Sequence, residues 1–395
     1  MADGPIVANP EADVEQDLAY AGTAPVKRAV IVSPTSAGSL GDQAMLDAVV
    51  GHLSDRAGYD VRIVPNDHVT RAVPEGRNPA TGLGKLASSV AAVARADFVG
   101  FIGADVLDGV YGADGVMKRM RLMQLANALG KKTRVFGASF SRTPSDRMVA
   151  FLRDATWLEV FARDPISRER MLRATGCEAP LVADLAFSIE PDITSAAAAA
   201  AADWIRARRE EGHTVIGVNF GGPATWADSE ALHAGLVTAI SSWLDADAAR
   251  SILLVPHDLR PGRTGDVQSI AEIGAALLER FVDRVRAVSG PIQAWDAKAL
   301  AGMLDLVLVS RMHLAIAALG MGVPSLCMVY QGKFEGVLSY FDLDACVIEP
   351  AACLEPARLT AALERVLSDA PALRARIAAA LPRVRDLSRA NFAGL

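Results

Sequence analysis

Cysteine is scarce in this chain, with four among 395 residues. Cys177, Cys327, Cys346 and Cys353 show neither CxxC nor Cys/His metal spacing, so a zinc module and a disulfide scaffold are both excluded. They read as reduced structural thiols, which points to the cytoplasm. No basic run and no basic-aromatic interleaving is present, and the net charge is −6, which excludes nucleic acid as a partner. An anionic ligand would therefore need a local positive pocket. No apolar stretch approaches the ~20 residues of a membrane span. The opening segment carries Asp3, Glu11, Asp13, Glu15 and Asp17 with no basic or apolar signal region, so it reads as a flexible acidic lead over residues 1–24. No GxSxG elbow, HExxH helix, GxGxxG or Walker loop occurs, and hydrolase and metal readings lose support. No metal site is expected.

Hydrophobic residues make up 51% and charged residues 22%, the balance of a packed protein, and the length calls for two domains. Short apolar runs alternate with amphipathic stretches throughout. Runs at 28–32, 61–64, 98–102, 134–136 and 159–162 form one set, and runs at 215–219, 252–255, 285–288, 306–309, 325–330 and 345–348 form a second. The pattern predicts α/β architecture, with two Rossmann-like domains facing a central cleft. Boundaries fall at 25–192 for the first domain, 193–212 for a linking helix, 213–354 for the second domain and 355–395 for closing helices, broken at Pro371 and Pro382.

The stretch from Leu306 to Lys333 carries the densest chemistry. A helix between two buried strands begins near Ser310, which reads as its N-cap, so backbone N–H groups around Arg311 and Met312 would face a ligand at the carboxyl end of the sheet. Arg311 supplies a planar fork for carboxylate or phosphate, His313 a proton donor or acceptor, and Lys333 a mobile charge. Singly, each has a structural explanation; together they suit a small acidic substrate.

Other strand ends add candidates. Gly38, Ser39 and Gly41 lie in a strand–loop–helix segment whose small residues let backbone approach a phosphate. Asp42, near that helix start, reads as a cap or as an acid/base group. Gly103 and Asp105 follow a strand where a tight turn is the simpler reading. Asp164 reads as a cap ahead of Pro165, leaving Arg163 for an anion or an acidic neighbour. Asp184 closes another strand. His257 follows Pro256, where bonding to backbone competes with ligand contact. Asn219 and Gly221 end the first strand of the second domain.

The series Gly38-Ser39-Leu40-Gly41-Asp42-Gln43-Ala44-Met45-Leu46, Arg163-Asp164 with Ser167, Asp184 with Ala186-Phe187, Ser310-Arg311-Met312-His313, Gly322-Val323-Pro324 and Tyr330-Gln331-Gly332-Lys333 resembles the polysaccharide pyruvyl transferase family. The resemblance implies a GT-B-like fold and transfer of a pyruvyl group from phosphoenolpyruvate to a sugar as a ketal, without a cofactor or metal. It implies a donor site of Arg311, Lys333, Arg163 and Ser310, with Tyr330 and His257 beside it, His313 and Asp42 as the catalytic pair, and acceptor loops at Gly38, Ser39, Gly41, Gly103, Asp105, Asn219 and Gly221. Ser39 and Gly103-Ala104-Asp105 depart from the family, which often shows Asn and Gly-Gly-Gly there. The acceptor would be a sugar, glycan or lipid-linked saccharide. That is compatible with a cytoplasmic enzyme, peripheral attachment to a membrane, and a homo-oligomer. A GT-B glycosyltransferase using a nucleotide sugar and a non-catalytic glycan- or metabolite-binding relative are the alternatives.

Overall fold

The computed structural model describes residues 27–34, 37–64, 70–72, 82–221, 229–262, 265–329 and 334–395. The first sheet joins β1 (Lys27–Val32), β2 (Tyr59–Val64), β3 (Phe98–Ala104), β4 (Lys132–Ala138) and β5 (Glu159–Ala162) in the parallel order β2-β1-β3-β4-β5. Crossovers contain α1 (Leu40–Gly51), continued by a π turn at His52–Arg56, then α2 (Gly82–Arg95), α3 (Ala113–Ala128) and α4 (Asp146–Asp154). β3 is buried at all seven positions, as expected of an unbroken apolar strand covered by helices on both faces.

After α5 (Pro165–Thr175) and α6 (Ala196–Glu210), the second sheet joins β6 (Thr214–Asn219), β7 (Arg250–Leu254), β8 (Val285–Ala287), β9 (Leu306–Val309), β10 (Ser325–Met328) and β11 (Val347–Ile348). Its order is β11-β10-β9-β6-β7-β8, again parallel. The covering helices are α7 (Ser229–Asp245), α8 (Val267–Leu278), α9 (Ala294–Gly302), α10 (Met312–Gly320) and α11 (Phe334–Leu338). In each sheet the chain starts inside, moves outward and returns to the other side of its first strand. The reversal lies between β1 and β3 in one domain and between β6 and β9 in the other. Loops diverge at such points and leave a crevice for ligand.

The closing helices are α12 (Pro356–Ser368) and α13 (Ala370–Arg389). Pro382, expected to break the stretch, lies inside α13. It removes one backbone donor there, but apolar packing of Ile377, Leu381 and Val384 holds the helix on. Pro371 does mark a helix start.

α13 brings the C-terminus onto the first domain. Ser388 Oγ donates to Asp184 O at 2.8 Å, and Phe392 stacks on His52 with ring centroids 3.9 Å apart. Arg134, buried in β4, donates to Glu159 Oε2 at 2.7 Å and to the carbonyls of Asn391 and Ala393 at 2.8 Å each. The apolar face of α1, with Met45, Leu46 and Val49, shares one core cluster with the second domain. No helix among the described residues is long and apolar enough to cross a membrane.

Candidate active site

Both reversal points meet across the cleft. Leu259 N–H donates to Gly38 O at 2.7 Å and Leu40 N–H donates to His257 O at 3.1 Å, around an antiparallel bridge between Ser39 and Asp258. The loop after β1 is thereby bonded to the loop after β7. Ser39 caps α1, its Oγ accepting the Asp42 N–H at 3.3 Å. The capping reading of Asp42 is corrected accordingly: one hydroxyl three residues upstream suffices, and Asp42 sits buried in the first turn.

His313 lies in the first turn of α10, directly beneath Gly41. A Cβ at residue 41 would stand 2.3 Å from His313 Nδ1, so only glycine lets the two helix starts approach this closely. On its other side, His313 Nε2 is 3.6 Å from Asp184 Oδ2, beyond hydrogen-bond range but close enough for strong electrostatic coupling. Asp184 also accepts from Arg163 Nη1 at 3.0 Å and from Ala186 N–H at 2.9 Å. Burial alone would raise the Asp184 carboxyl, but His313, Arg163 and the Ala186 amide overcome it and hold it at about 2. Arg163 is itself buried, and its Nε has no hydrogen-bond partner among the described residues. Asp164 caps α5 through the Ser167 N–H at 2.7 Å, with Pro165 following.

Arg311 occupies the N-cap position of α10 without a side-chain cap bond, which corrects the placement of Ser310 there. Ser310 instead ties two loops together: its Oγ accepts the Gly221 N–H at 2.9 Å and donates to Gly221 O at 2.8 Å. The Arg311 amide, expected to face ligand, donates to Asn219 Oδ1 at 3.2 Å. Its guanidinium is oriented by carboxylates, with Nε on Asp266 Oδ1 at 2.7 Å and Nη1 3.5 Å from Asp258 Oδ2.

Asp266 is the residue that the sequence reading missed. Fully buried at the start of α8, it accepts from Arg311, and its Oδ2 accepts from Asn219 Nδ2 at 2.9 Å, His257 N–H at 2.9 Å and Asp258 N–H at 3.0 Å. Gly221 makes room for it, since a Cβ there would fall 1.8 Å from Oδ1. The only local signal was an Asp just ahead of an apolar-periodic helix, and that reads as a cap. Arg260 was also missed. It pairs with Asp258, Nε to Oδ1 at 2.9 Å, and lies in the field of Asp42 and Asp105 from the opposite domain.

His257 is buried with neither ring nitrogen hydrogen-bonded among the described residues. The backbone partner expected for this imidazole is not there; only its main chain is bonded. Burial, then repulsion from His313 and Arg311, pushes it down to about 3, so it is neutral near pH 7. Asp105 accepts from Tyr111 at 3.1 Å. Beside it, Ala104 holds φ +45°, a left-handed conformation that disfavours alanine. Gly103 packs against Ala138 in the sheet. Tyr330 and Lys333 lie outside the described residues.

Arg163, Arg311, His257, His313, Asp42 and Asp184 thus converge at the meeting of the two reversal points, with buried polar atoms on Arg163, His257 and His313 lacking hydrogen-bond partners among the described residues. Such donors, fixed by the surrounding loops and helix starts, favour an anionic ligand and charge developing on it.

The paired sheets define a GT-B fold. The chain resembles the S. aureus MnaA-UDP co-structure at TM-score 0.59 and 11% identity, covering 92% of this chain and 94% of that one. It resembles UDP-GlcNAc 2-epimerase from Neisseria meningitidis bound to UDP-GlcNAc at 0.56 and 11%, covering 92% and 97%. It also resembles Anabaena Alr3699/HepE in complex with UDP and glucose at 0.55 and 14%, covering 93% and 100%. No curated protein matches the chain. The model of the polysaccharide pyruvyl transferase family matches residues 40–332, and the chain belongs to that family.

Proposed function

We propose that the protein is a transferase that moves the pyruvyl group of phosphoenolpyruvate onto two hydroxyls of a sugar, glycan or lipid-linked saccharide, forming a cyclic ketal. The observation that carries this reading is the convergence of buried Arg163 with partly exposed Arg311 and His313 on one site in a member of this family. Arg163 and Arg311, with Lys333, hold the phosphate and carboxylate of the donor. His313 delivers a proton to the methylene carbon, which becomes methyl, and C2 becomes electrophilic. One acceptor hydroxyl adds to C2 and phosphate departs with the C–O bond electrons. The second hydroxyl then closes the ketal; of the two acceptor protons, one is taken up by Asp42 and the other leaves with the departing phosphate. Asp184 keeps His313 oriented, and neutral His257 offers a hydrogen bond to bound donor. The proposed reaction is cytoplasmic.

A nucleotide-sugar transferase is the second reading, supported by the uridine nucleotides bound in the structural relatives. Incubation with phosphoenolpyruvate and a panel of glycans separates them. Release of inorganic phosphate together with a new methyl singlet on the glycan supports pyruvyl transfer. Glycosyl transfer from a UDP-sugar, with phosphoenolpyruvate untouched, refutes it.

A further inference from the structure

On the far side of the turn that begins at Asp184 lies a cavity of about 490 Å³. None of the active-site residues lines it. Five cationic side chains do: Arg56 from the first domain, Arg71, Lys298 on α9, and Arg385 and Arg389 on α13. Asp47, Asp55 and Glu190 also face it, but Asp47 is engaged by the Arg71 backbone N–H at 2.8 Å.

The cations outnumber the carboxylates of the lining, although Arg71 Nε lies 3.9 Å from Asp47 Oδ2 and Arg389 pairs with Asp386 at 2.8 Å. Lys298 is buried, with Nζ donating to the carbonyls of Ile189 at 2.7 Å, Phe187 at 3.0 Å and Ala186 at 3.3 Å. Those bonds satisfy its donors but leave its charge uncancelled. Burial, with repulsion from Arg385 and Arg71 only partly offset by Glu190, lowers the ammonium to about 7. Arg385 spends one nitrogen on Gly320 O at 2.9 Å and keeps an exposed remainder, and Arg56 and Arg389 stand exposed at the rim. Guanidinium forks match the paired oxygens of phosphate and carboxylate. One wall is aromatic, formed by Phe187 and the stacked pair His52 and Phe392. Such a wall suits the C–H face of a sugar ring, and the volume lies in the range of small-ligand sites.

We infer that this cavity is a second binding site, separate from the cleft, for a small anionic saccharide such as a sugar phosphate or sugar carboxylate. The inference is independent of pyruvyl transfer. The bound anion would bear on Lys298 and through it on the turn carrying Asp184, so occupancy of this cavity would be felt at His313.

The structure supplies its own reporter, because the Arg71 guanidinium lies 4.8 Å from the ring centroid of Trp295. Full-length protein titrated with glucose 6-phosphate, and separately with glucose, should show a saturable change of tryptophan emission with the phosphate alone. Trp295→Phe should remove the signal. Arg56→Ala combined with Arg389→Ala should weaken binding at least tenfold; should that pair disturb folding by circular dichroism, Arg56→Glu alone serves. No saturable change at millimolar glucose 6-phosphate, or an affinity unaltered in the rim variant, overturns the inference.

Discussion

The α-carbon of Gly41 rests on the imidazole of His313, two residues from different domains at the starts of two facing helices. A methyl group at residue 41 would stand 2.3 Å from Nδ1 and 2.4 Å from Cγ. Either α1 retreats or His313 turns from Asp184. Gly41→Ala should therefore lower turnover at least tenfold and destabilise the fold by about 1–3 kcal/mol, the usual cost of overpacking. Steady-state kinetics with urea denaturation checks this. Wild-type turnover in Gly41→Ala would mean that the contact does not position His313.

Asp266 holds four donors at once, so its removal should cost far more than a surface carboxylate. In Asp266→Ala two backbone N–H groups and Arg311 Nε lose this acceptor, and the Asn219 amide keeps only Val255 O. A loss of about 3 kcal/mol or more is expected, as for other broken buried pairs. Asp266→Asn, which retains one acceptor oxygen, should fall between. Denaturation midpoints for the three proteins test the order, and equal midpoints would contradict it.

Acid stability follows from His257 and Asp184. An unfolded histidine titrates near 6.5, whereas folded His257 titrates near 3. Between those values the unfolded chain holds the extra proton, so stability rises with pH across the window and falls on acidification. The slope is roughly 1.4 kcal/mol per pH unit. Asp184, at about 2 against an ordinary 3.8, adds the same sign in a lower and narrower window. Replacing His257 with Asn should reduce the slope between pH 6 and 4 by about 1.4 kcal/mol per pH unit, leaving the share of His52 and His233, which burial also lowers, and the loss below pH 4. Unfolding free energies at each pH decide it; an unchanged slope refutes the assignment to His257.

Arg134 anchors the C-terminus to β4 through two carbonyls. Arg134→Met should release residues 391–395, lower the melting temperature by several degrees, and open this end to carboxypeptidase. Protection equal to wild type would show that Phe392 and its stack on His52 suffice.

The fold was legible where a local pattern decides the structure. Unbroken apolar runs such as 98–102 and 306–309 became buried parallel strands because helices cover both sheet faces. Asp164 with Pro165 read correctly as a helix start, since capping chemistry is local. Competing local signals were harder. Ser39 and Asp42 are both capping residue types, and only the backbone angles at Ser39 decide between them. Ser310 looked like a cap but was recruited by Gly221 in the loop after β6. Asp266 was invisible because its meaning depends on Arg311, forty-five positions away. The five cations of the rear cavity come from four separate stretches of chain, and the return of α13 adds Arg385 and Arg389 to them.

The most direct test of donor identity is thermal stability with phosphoenolpyruvate or with UDP-sugars, for wild type and Arg311→Ala in parallel. A ligand present at ~100 times its Kd adds about 2.7 kcal/mol. Phosphoenolpyruvate should raise the melting temperature of wild type and not that of Arg311→Ala. Stabilisation by a UDP-sugar alone, or equal stabilisation of both proteins by phosphoenolpyruvate, would contradict a donor site at Arg311 and His313.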